Sequence, residues 1–387
     1  SPRGLAGPGE GERPTSRRLN ATTSMVELAA VLASVVHAMS GICFVSLLLF
    51  ISIPDQAGPG PPIDSTRYAV SAASLLDEPR LSEMTPSVRA AAVGLASSFV
   101  QSVRDGTTDA FLAACVVASW SGRLDMSMRR KLSTFMQLLS WSRTDANALS
   151  DRFSLFVASH SQLVTLMEST PIDTTPQTLL DIGAGTGSAT AVVASALGLP
   201  ASGVTALEDS APLRRRLMER GYRAVSSLNE AAGAQYDAVA LLNVLDSCND
   251  PQGLLRGAAG MLTPGGLILL ESVLPFCPRV YRGAWGKIDA HQPPGSPLNI
   301  SAAYRCHGVK HGLGSKSFEV AAAGFVAAAL EGLDLEILSW TRLPYLSSGS
   351  GVSHVVLDAA LFVLRSRDPH SCAASSPQEG ASQPAAS

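Results

Sequence analysis

Leu179-Leu-Asp-Ile-Gly-Ala-Gly-Thr-Gly187 decides the fold of this chain. Leu179, Leu180 and Ile182 read as the end of a buried strand, set off by the break at Pro176. Gly183, Gly185 and Gly187 then let the backbone turn sharply and approach a ligand where a Cβ would clash. The alanine- and valine-rich run from Ser188 to Leu197 has helical character, so the loop is expected to open a helix. A strand, a glycine loop and a helix in this order form a site for an adenosine-type cofactor at the carboxyl end of a sheet.

Spacing separates the cofactors. The dinucleotide fingerprint is G-x-G-x-x-G, whereas here the third glycine comes one residue early and Asp181 stands two residues before the first. This variant resembles the first motif of class I S-adenosyl-L-methionine-dependent methyltransferases, in which no pyrophosphate is cradled. Val204-Thr-Ala-Leu-Glu208 reads as the next strand, ending in a carboxylate about 20 residues on, where a ribose-diol acceptor is expected. A solvated helix-start acid beside Asp209 is the alternative for Glu208. On these grounds Asp181, Gly183, Ala184, Gly185, Gly187, Glu208 and Asn243 are the candidate cofactor-binding residues.

The same rhythm continues downstream. Gln235 to Asp246 holds an apolar run suited to a central parallel strand, and Gly253 to Met261 a helix stopped by Thr263-Pro-Gly-Gly266. Leu267 to Leu274 is the next strand, Phe318 to Leu330 a helix, Leu333 to Ser339 a strand and Val355 to Leu364 the final strand. The expected fold is α/β, a Rossmann-like doubly wound sheet of the class I methyltransferase type with an antiparallel C-terminal edge strand. N-terminal helices and a membrane-spanning segment are expected to precede it.

Several blocks are narrower than a superfamily. Gln235-Tyr-Asp237, Leu242-Asn243, Leu245-Asp246, Cys248 and Pro251 resemble the fourth-strand block of the DREV methyltransferases. Val273-Leu-Pro-Phe-Cys-Pro278, Ala323-Gly-Phe325, Thr341-Arg-Leu-Pro-Tyr-Leu346, Val356-Leu-Asp358 and Phe362-Val-Leu364 match the same family in the same order, as do Phe156-Val-x-Ser159 and Gln162 upstream. The resemblance covers roughly residues 140 to 365. It implies methyl transfer from S-adenosyl-L-methionine to the pros nitrogen of histidine in proteins, at His-x-His motifs with a small residue between. The nucleophile is a neutral imidazole, abundant at physiological pH because its ordinary pKa is ~6.5. The enzyme has to select a tautomer, align the lone pair and hold the methyl close.

A carboxylate that accepts the N–H of the other ring nitrogen would select the tautomer, and Asp246 is the candidate. Asn243 would orient the ring or line the cofactor pocket, and Tyr345 would border the substrate. Two of them have a plainer reading, Asp246 as a cap of the following helix and Tyr345 as a packing residue with a wet hydroxyl, whereas Asn243 is an amide in an apolar run and needs partners there. Glu319 is expected to be an exposed charge on a helix flank.

Some positions depart from the family. An acid usually stands where Thr186 is, and tyrosines usually precede Val-Leu-Asp where this chain has His354-Val355. Arg282 to Lys316, rich in Gly, Pro and His, reads as an enlarged loop near the substrate side. Cys306, His307 and His311 lie close together, but no second ligand pair accompanies them, and no metal is expected. The six cysteines show no disulfide framework by spacing; Cys248 and Cys277 are expected to be small buried apolar residues.

The N-terminal part has another character. Residues 1–27 are expected to be disordered, and 28–53 are long and apolar enough to cross a bilayer. Arg13, Arg17 and Arg18 before them favour a signal anchor with a lumenal catalytic domain in the endoplasmic reticulum or another endomembrane. A signal peptide is the competing reading, and an organellar transit sequence a third. Residues 54–66 then read as a linker, 67–140 as a helical extension, 141–365 as a monomeric methyltransferase domain and 366–387 as a disordered tail. A net charge of −3 without basic runs argues against a nucleic-acid substrate. A small-molecule methyltransferase and a non-catalytic membrane-tethered binding protein are the alternatives the fold leaves open.

Overall fold

The computed structural model describes residues 60–121, 132–133, 135–136, 145–146, 155–170, 175–278, 281–282, 286–287, 317–348 and 353–367. All belong to one compact unit of the chain, Pro54–Ser387. The apolar segment 28–53 and the 366–387 tail beyond residue 367 lie outside the described residues, as do Cys306, His307 and His311. Among the described residues no helix is long and apolar enough to cross a membrane.

Eight strands form a single mixed sheet. They are β1 (Leu155–Phe156), β2 (Leu179–Ile182), β3 (Val204–Leu207), β4 (Arg223–Val225), β5 (Tyr236–Leu242), β6 (Leu262–Val273), β7 (Leu335–Ser348) and β8 (His354–Ser366). Their order across the sheet is β1-β7-β8-β6-β5-β2-β3-β4. β2 to β6 run parallel to one another, and their apolar residues are buried on both faces, which is why the sequence shows continuous apolar runs rather than alternation. After β4 the chain crosses back to place β5 on the other side of β2. The crevice at the carboxyl ends of β2 and β5 is therefore the switch point at which doubly wound sheets hold ligands.

The closing strands correct one expectation. β8 is antiparallel to β6 and to β7, yet it lies inside the sheet between them, and the edge on this side is β1. The physical reason is its composition: Ala359 to Leu364 is buried without interruption, as only a strand with partners on both sides and cover on both faces can be. β7 also runs further than expected, through Pro344 to Ser348.

Helices cover both faces. On one, α3 (Pro86–Ser98), α9 (Pro251–Gly260) and α10 (Phe318–Ala329) pack on Ile182, Leu241, Leu270 and Phe362. α10 is buried almost all round because the sheet lies on one side and α3 on the other. Trp340 joins these layers. Its ring stacks on Phe362 at 5.7 Å, meets Phe99 edge-on at 5.2 Å, and its indole N–H donates to the Leu95 carbonyl of α3 at 2.7 Å. On the other face α4 (Gly106–Ser121), α5 (His160–Glu168) and α6 (Ser188–Ala196) pack on Leu179, Ala240, Leu269 and Leu361. α7 (Ala211–Glu219) and α8 (Leu228–Ala231) link β3, β4 and β5, and α1 (Ala72–Leu76) and α2 (Glu78–Ser82) precede α3.

The stretch before α1 crosses the end of the sheet where the parallel strands finish. Gly60 N–H donates to Ser353 Oγ at 2.9 Å, and the Pro61 carbonyl meets His354 Nε2 at 2.9 Å. Arg67 pairs with Asp358 of β8 at 2.9 Å, and Arg342 of β7 pairs with the same carboxylate at 3.2 Å. Glu319 is buried rather than exposed, because its carboxylate accepts the Ser71 N–H at 3.0 Å and so ties this stretch to the start of α10.

Candidate active site

The glycine loop springs from the end of β2. Its N–H groups at Gly183 and Ala184 both donate to the Leu207 carbonyl of β3, at 2.8 and 3.0 Å. Gly183, Gly185 and Gly187 have φ of +79°, +55° and +76°, a region in which a Cβ crowds the following carbonyl. Their surroundings differ. A Cβ on Gly183 would meet Val244 Cγ2 at 2.8 Å and one on Gly187 would meet Leu217 Cδ2 at 2.8 Å. One on Gly185 would meet nothing within 4 Å, so among the described residues the loop is open on that side. Gly187 then caps α6 from a left-handed conformation.

Glu208 reaches this loop. One carboxylate oxygen accepts the Gly185 N–H at 2.9 Å and the other the Ser210 N–H at 3.0 Å. The group is only 6% exposed, and burial, with Asp209 beside it, pushes its pKa up to about 7 against those two donors. Each oxygen keeps a lone pair for a further donor. A backbone loop unobstructed at Gly185, bonded to a carboxylate at the end of the next strand, fits the ribose end of an adenosine-type cofactor. Asp181 lies beneath the loop instead of in it. It is 2% exposed on β2 and accepts a hydrogen bond from Thr190 Oγ1 of α6; burial pushes its pKa up to about 6, and the Thr190 hydroxyl opposes that. Thr186, where the family carries an acid, shares a hydrogen bond with Ser188 at 3.1 Å.

The other candidates meet across the crevice. β5 ends at Leu242, one residue short of Asn243. Asn243 turns the chain with φ +52°, the one non-glycine residue with positive φ among the described residues, and its N–H donates to the Glu271 carbonyl of β6 at 3.1 Å. Its side-chain oxygen Oδ1 is buried with no hydrogen-bond partner among the described residues. Asp246 follows in the turn. It does not cap the following helix: that cap is Asp250, whose side chain accepts the Gly253 N–H at 2.9 Å. Tyr345 arrives from β7. Burial first and Glu271 second raise its phenol, the Asn243 side chain opposes this by a hydrogen bond, and Asp246 adds a smaller rise. Tyr345 packs in one small cluster with Val157 and Ala359, against which Ala189 of the first turn of α6 also rests. The cluster therefore adjoins the glycine loop.

Sequence reasoning missed Glu271. It is 1% exposed on β6, paired in register with Leu242 and Leu361, and neither carboxylate oxygen meets a donor among the described residues. Burial, then the charge of Asp246, holds its carboxyl well above the usual range. The available signal was a lone acid inside the run Leu267–Leu274. His354 is buried on β8 with both ring nitrogens engaged, by Pro61 and Ser353. Cys248 is half-buried with its thiol pushed up to about 12 by burial. Cys277, expected to be a free packing residue, is disulfide-bonded to a partner outside the described residues.

A family model described as DREV methyltransferase matches residues 89–366. Among solved structures, the N-methyltransferase NodS from Bradyrhizobium japonicum WM9 in complex with S-adenosyl-l-homocysteine matches at 16% identity over 54% of this chain and 86% of that one, with a TM-score of 0.31. CalS10, a SAM-bound amino pentose methyltransferase from Micromonospora echinaspora, matches at 23% identity over 29% of this chain, with a TM-score of 0.25. Streptomyces venezuelae DesVI matches at 20% identity over 30% of this chain, with a TM-score of 0.25. The chain spans about half the length of the latter two, 49% in each case.

Proposed function

The chain belongs to the DREV methyltransferase family, and from that premise we propose that it methylates the pros nitrogen of histidine in proteins, at His-x-His sequences. The cofactor of the family is S-adenosylmethionine, which supplies an activated methyl group. We assign its binding to Gly183, Ala184, Gly185 and Gly187 of the loop and to Glu208, with Asp181 fixing the loop from below. The acceptor assignment is carried by one observation: past the end of β5 the Asn243 side chain and Asp246 both act on Tyr345, which packs in the cluster that Ala189 of the first turn of α6 adjoins. A neutral imidazole needs no further activation as a nucleophile. It needs its lone pair aimed and its other N–H held, and a carboxylate with an amide beside it does both. Asp246 takes that N–H, Asn243 orients the ring, and Tyr345 closes the pocket wall.

The test is mass spectrometry on a His-Ala-His-Ala-His peptide incubated with the full chain and S-adenosylmethionine, beside Asp246→Ala. Methyl mass on histidine, lost in a variant that still melts cooperatively and binds cofactor, is the expected result. Methylation that survives the substitution removes Asp246 from the chemistry. An unmodified peptide, with cofactor binding demonstrated, moves the acceptor to a small molecule.

The apolar segment 28–53 and its arginine flank support a signal anchor with the catalytic domain in an endomembrane lumen. The disulfide at Cys277 supports the same side, since such bonds persist in oxidising compartments. A glycosylation acceptor added to the C-terminal tail should be modified in a secretory system; an unmodified tail contradicts the lumenal placement.

A further inference from the structure

Three acceptor atoms are buried at one place with no donor among the described residues: Glu271 Oε1 and Oε2, and Asn243 Oδ1. Their residues sit at the ends of adjacent strands, joined by the Asn243 N–H to Glu271 carbonyl bond of 3.1 Å. By strand alternation the Glu271 side chain shares its sheet face with Leu267 and Leu269, which pack in the same core as α5 and α6. That is also the face of Tyr345, whose cluster takes in Leu242, the ladder partner of Glu271, and Ala189 of α6. An acid that serves only the fold at this depth has donors or a counter-charge. Glu271 meets neither among the described residues, and the nearest charge acting on it is another carboxyl, Asp246.

We propose that Glu271 joins Asp246 as the proton acceptor of the pocket, the two carboxyls acting as one pair that takes the ring proton released on methyl transfer. The inference rests on the histidine reading above. As the nitrogen lone pair forms the N–C bond, the C–S bond breaks with its electrons going to sulfur. The ring is left as a cation whose proton sits on its other nitrogen. A solitary aspartate, with an ordinary pKa of ~3.9, is too weak a base to take a proton from an imidazolium near ~6.5. Two carboxyls in contact with one site cannot both ionise freely, so the pair holds one proton more tightly than either group alone. Burial of Glu271 strengthens that effect, and Asp246, the half-buried member, is the exit to solvent. Asp246 is the ionisable group that acts on this carboxyl among the described residues, and the carboxyl in turn acts on the Tyr345 phenol; its ladder neighbours Leu242 and Leu361 carry no charge.

The experiment compares full-chain wild type, Glu271→Gln, Asp246→Asn and the double variant on the histidine peptide. Melting temperature and S-adenosylhomocysteine affinity are followed alongside. Glu271→Gln is expected to fold with undiminished melting temperature and unchanged cofactor affinity, because an amide removes the cost of a buried carboxyl. Its turnover should fall on the order of 100-fold, the scale of a lost acid–base group, and the acid limb of its kcat profile should move to lower pH. The double variant should be no slower than the worse single one, as for residues that act as a unit. Unchanged turnover and pH profile, effects that multiply in the double variant, or a Glu271→Gln chain that does not fold would each overturn the pair. A wild type that leaves the peptide unmodified overturns the histidine reading, and the pair with it.

Discussion

Alanine at Gly185 and alanine at Gly187 put the same methyl group on two left-handed positions two residues apart, and opposite outcomes are expected. At Gly187 the new Cβ would lie 2.8 Å from Leu217 Cδ2, 3.0 Å from Arg220 Cδ and 3.2 Å from Tyr222 Cε2. Leu217 is fully buried and cannot retreat. A left-handed alanine costs ~1–2 kcal/mol, and forcing a methyl into a packed core adds ~1–3 kcal/mol. The sum, ~2–5 kcal/mol, lowers the melting temperature of a domain this size by on the order of 5–15 °C. At Gly185 the φ of +55° carries the same conformational cost, but the Cβ meets nothing within 4 Å among the described residues. Stability should fall by only ~1–2 kcal/mol. The methyl instead occupies the open side of the loop, where the cofactor has to approach the backbone. If it costs ~1–3 kcal/mol there, S-adenosylhomocysteine binding weakens about 5- to 150-fold. Thermal denaturation and titration calorimetry on the two variants separate the effects. A Gly185→Ala protein that binds S-adenosylhomocysteine as tightly as wild type would refute the placement of the cofactor against this loop.

Glu208 predicts a pH dependence. Its carboxyl is held protonated up to about 7, and only the ionised form accepts two ribose hydroxyls fully, so cofactor affinity should be flat above that pH and fall about tenfold per unit below it. Glu208→Gln should flatten the curve, and a wild-type affinity independent of pH from 5 to 8 contradicts the assignment. In the cofactor-free chain the same raised carboxyl adds stability at low pH that is lost as the pH rises from 4.5 through about 7, which melts in a pH series will show. Thr190→Val leaves the buried Asp181 carboxyl without its hydroxyl donor and should cost ~1–3 kcal/mol in urea denaturation, whereas Thr190→Ser should cost much less. Trp340→Phe orphans the Leu95 carbonyl and should cost ~1–3 kcal/mol, while Trp340→Ala should reach ~3–5 kcal/mol; a Trp340→Phe protein as stable as wild type would mean the indole N–H contributes nothing to holding α3.

The glycine loop and Glu208 were legible in the sequence because their information is local. Positive φ needs glycine, a buried parallel strand needs an apolar run, and the acid falls at a fixed distance from the loop. The structure adds that Glu208 bonds the loop backbone directly. Asn243 could be singled out because an amide in an apolar run needs a partner. Glu271 sits in a similar run, but periodicity assigns a strand without saying which residues lie at its crevice end. Only the register, Leu242 against Glu271 and Leu361 against Glu271, brings it to Asn243. Glu319 was misread for a related reason. On the helix alone it looks like a first-turn acid facing water, and its burial depends on Ser71, far away in sequence. The position of β8 was hidden as well. A hairpin pattern reveals that two strands are neighbours and says nothing about which of them joins the rest of the sheet.

The central place of β8 bears on how the chain reaches its fold. β6 is paired by β5 soon after it is made, but its outer edge stays open until the last strand of the sheet arrives, since Leu269 and Leu270 pair with Val363 and Phe362. Until then the molecule carries an unpaired apolar strand edge, the feature that recruits neighbouring chains into aggregates. Contacts so distant in sequence also close slowly. Assembly of this sheet is therefore a late, all-or-nothing event, and loss of β8 should compromise solubility well before it is noticed as a change in chemistry.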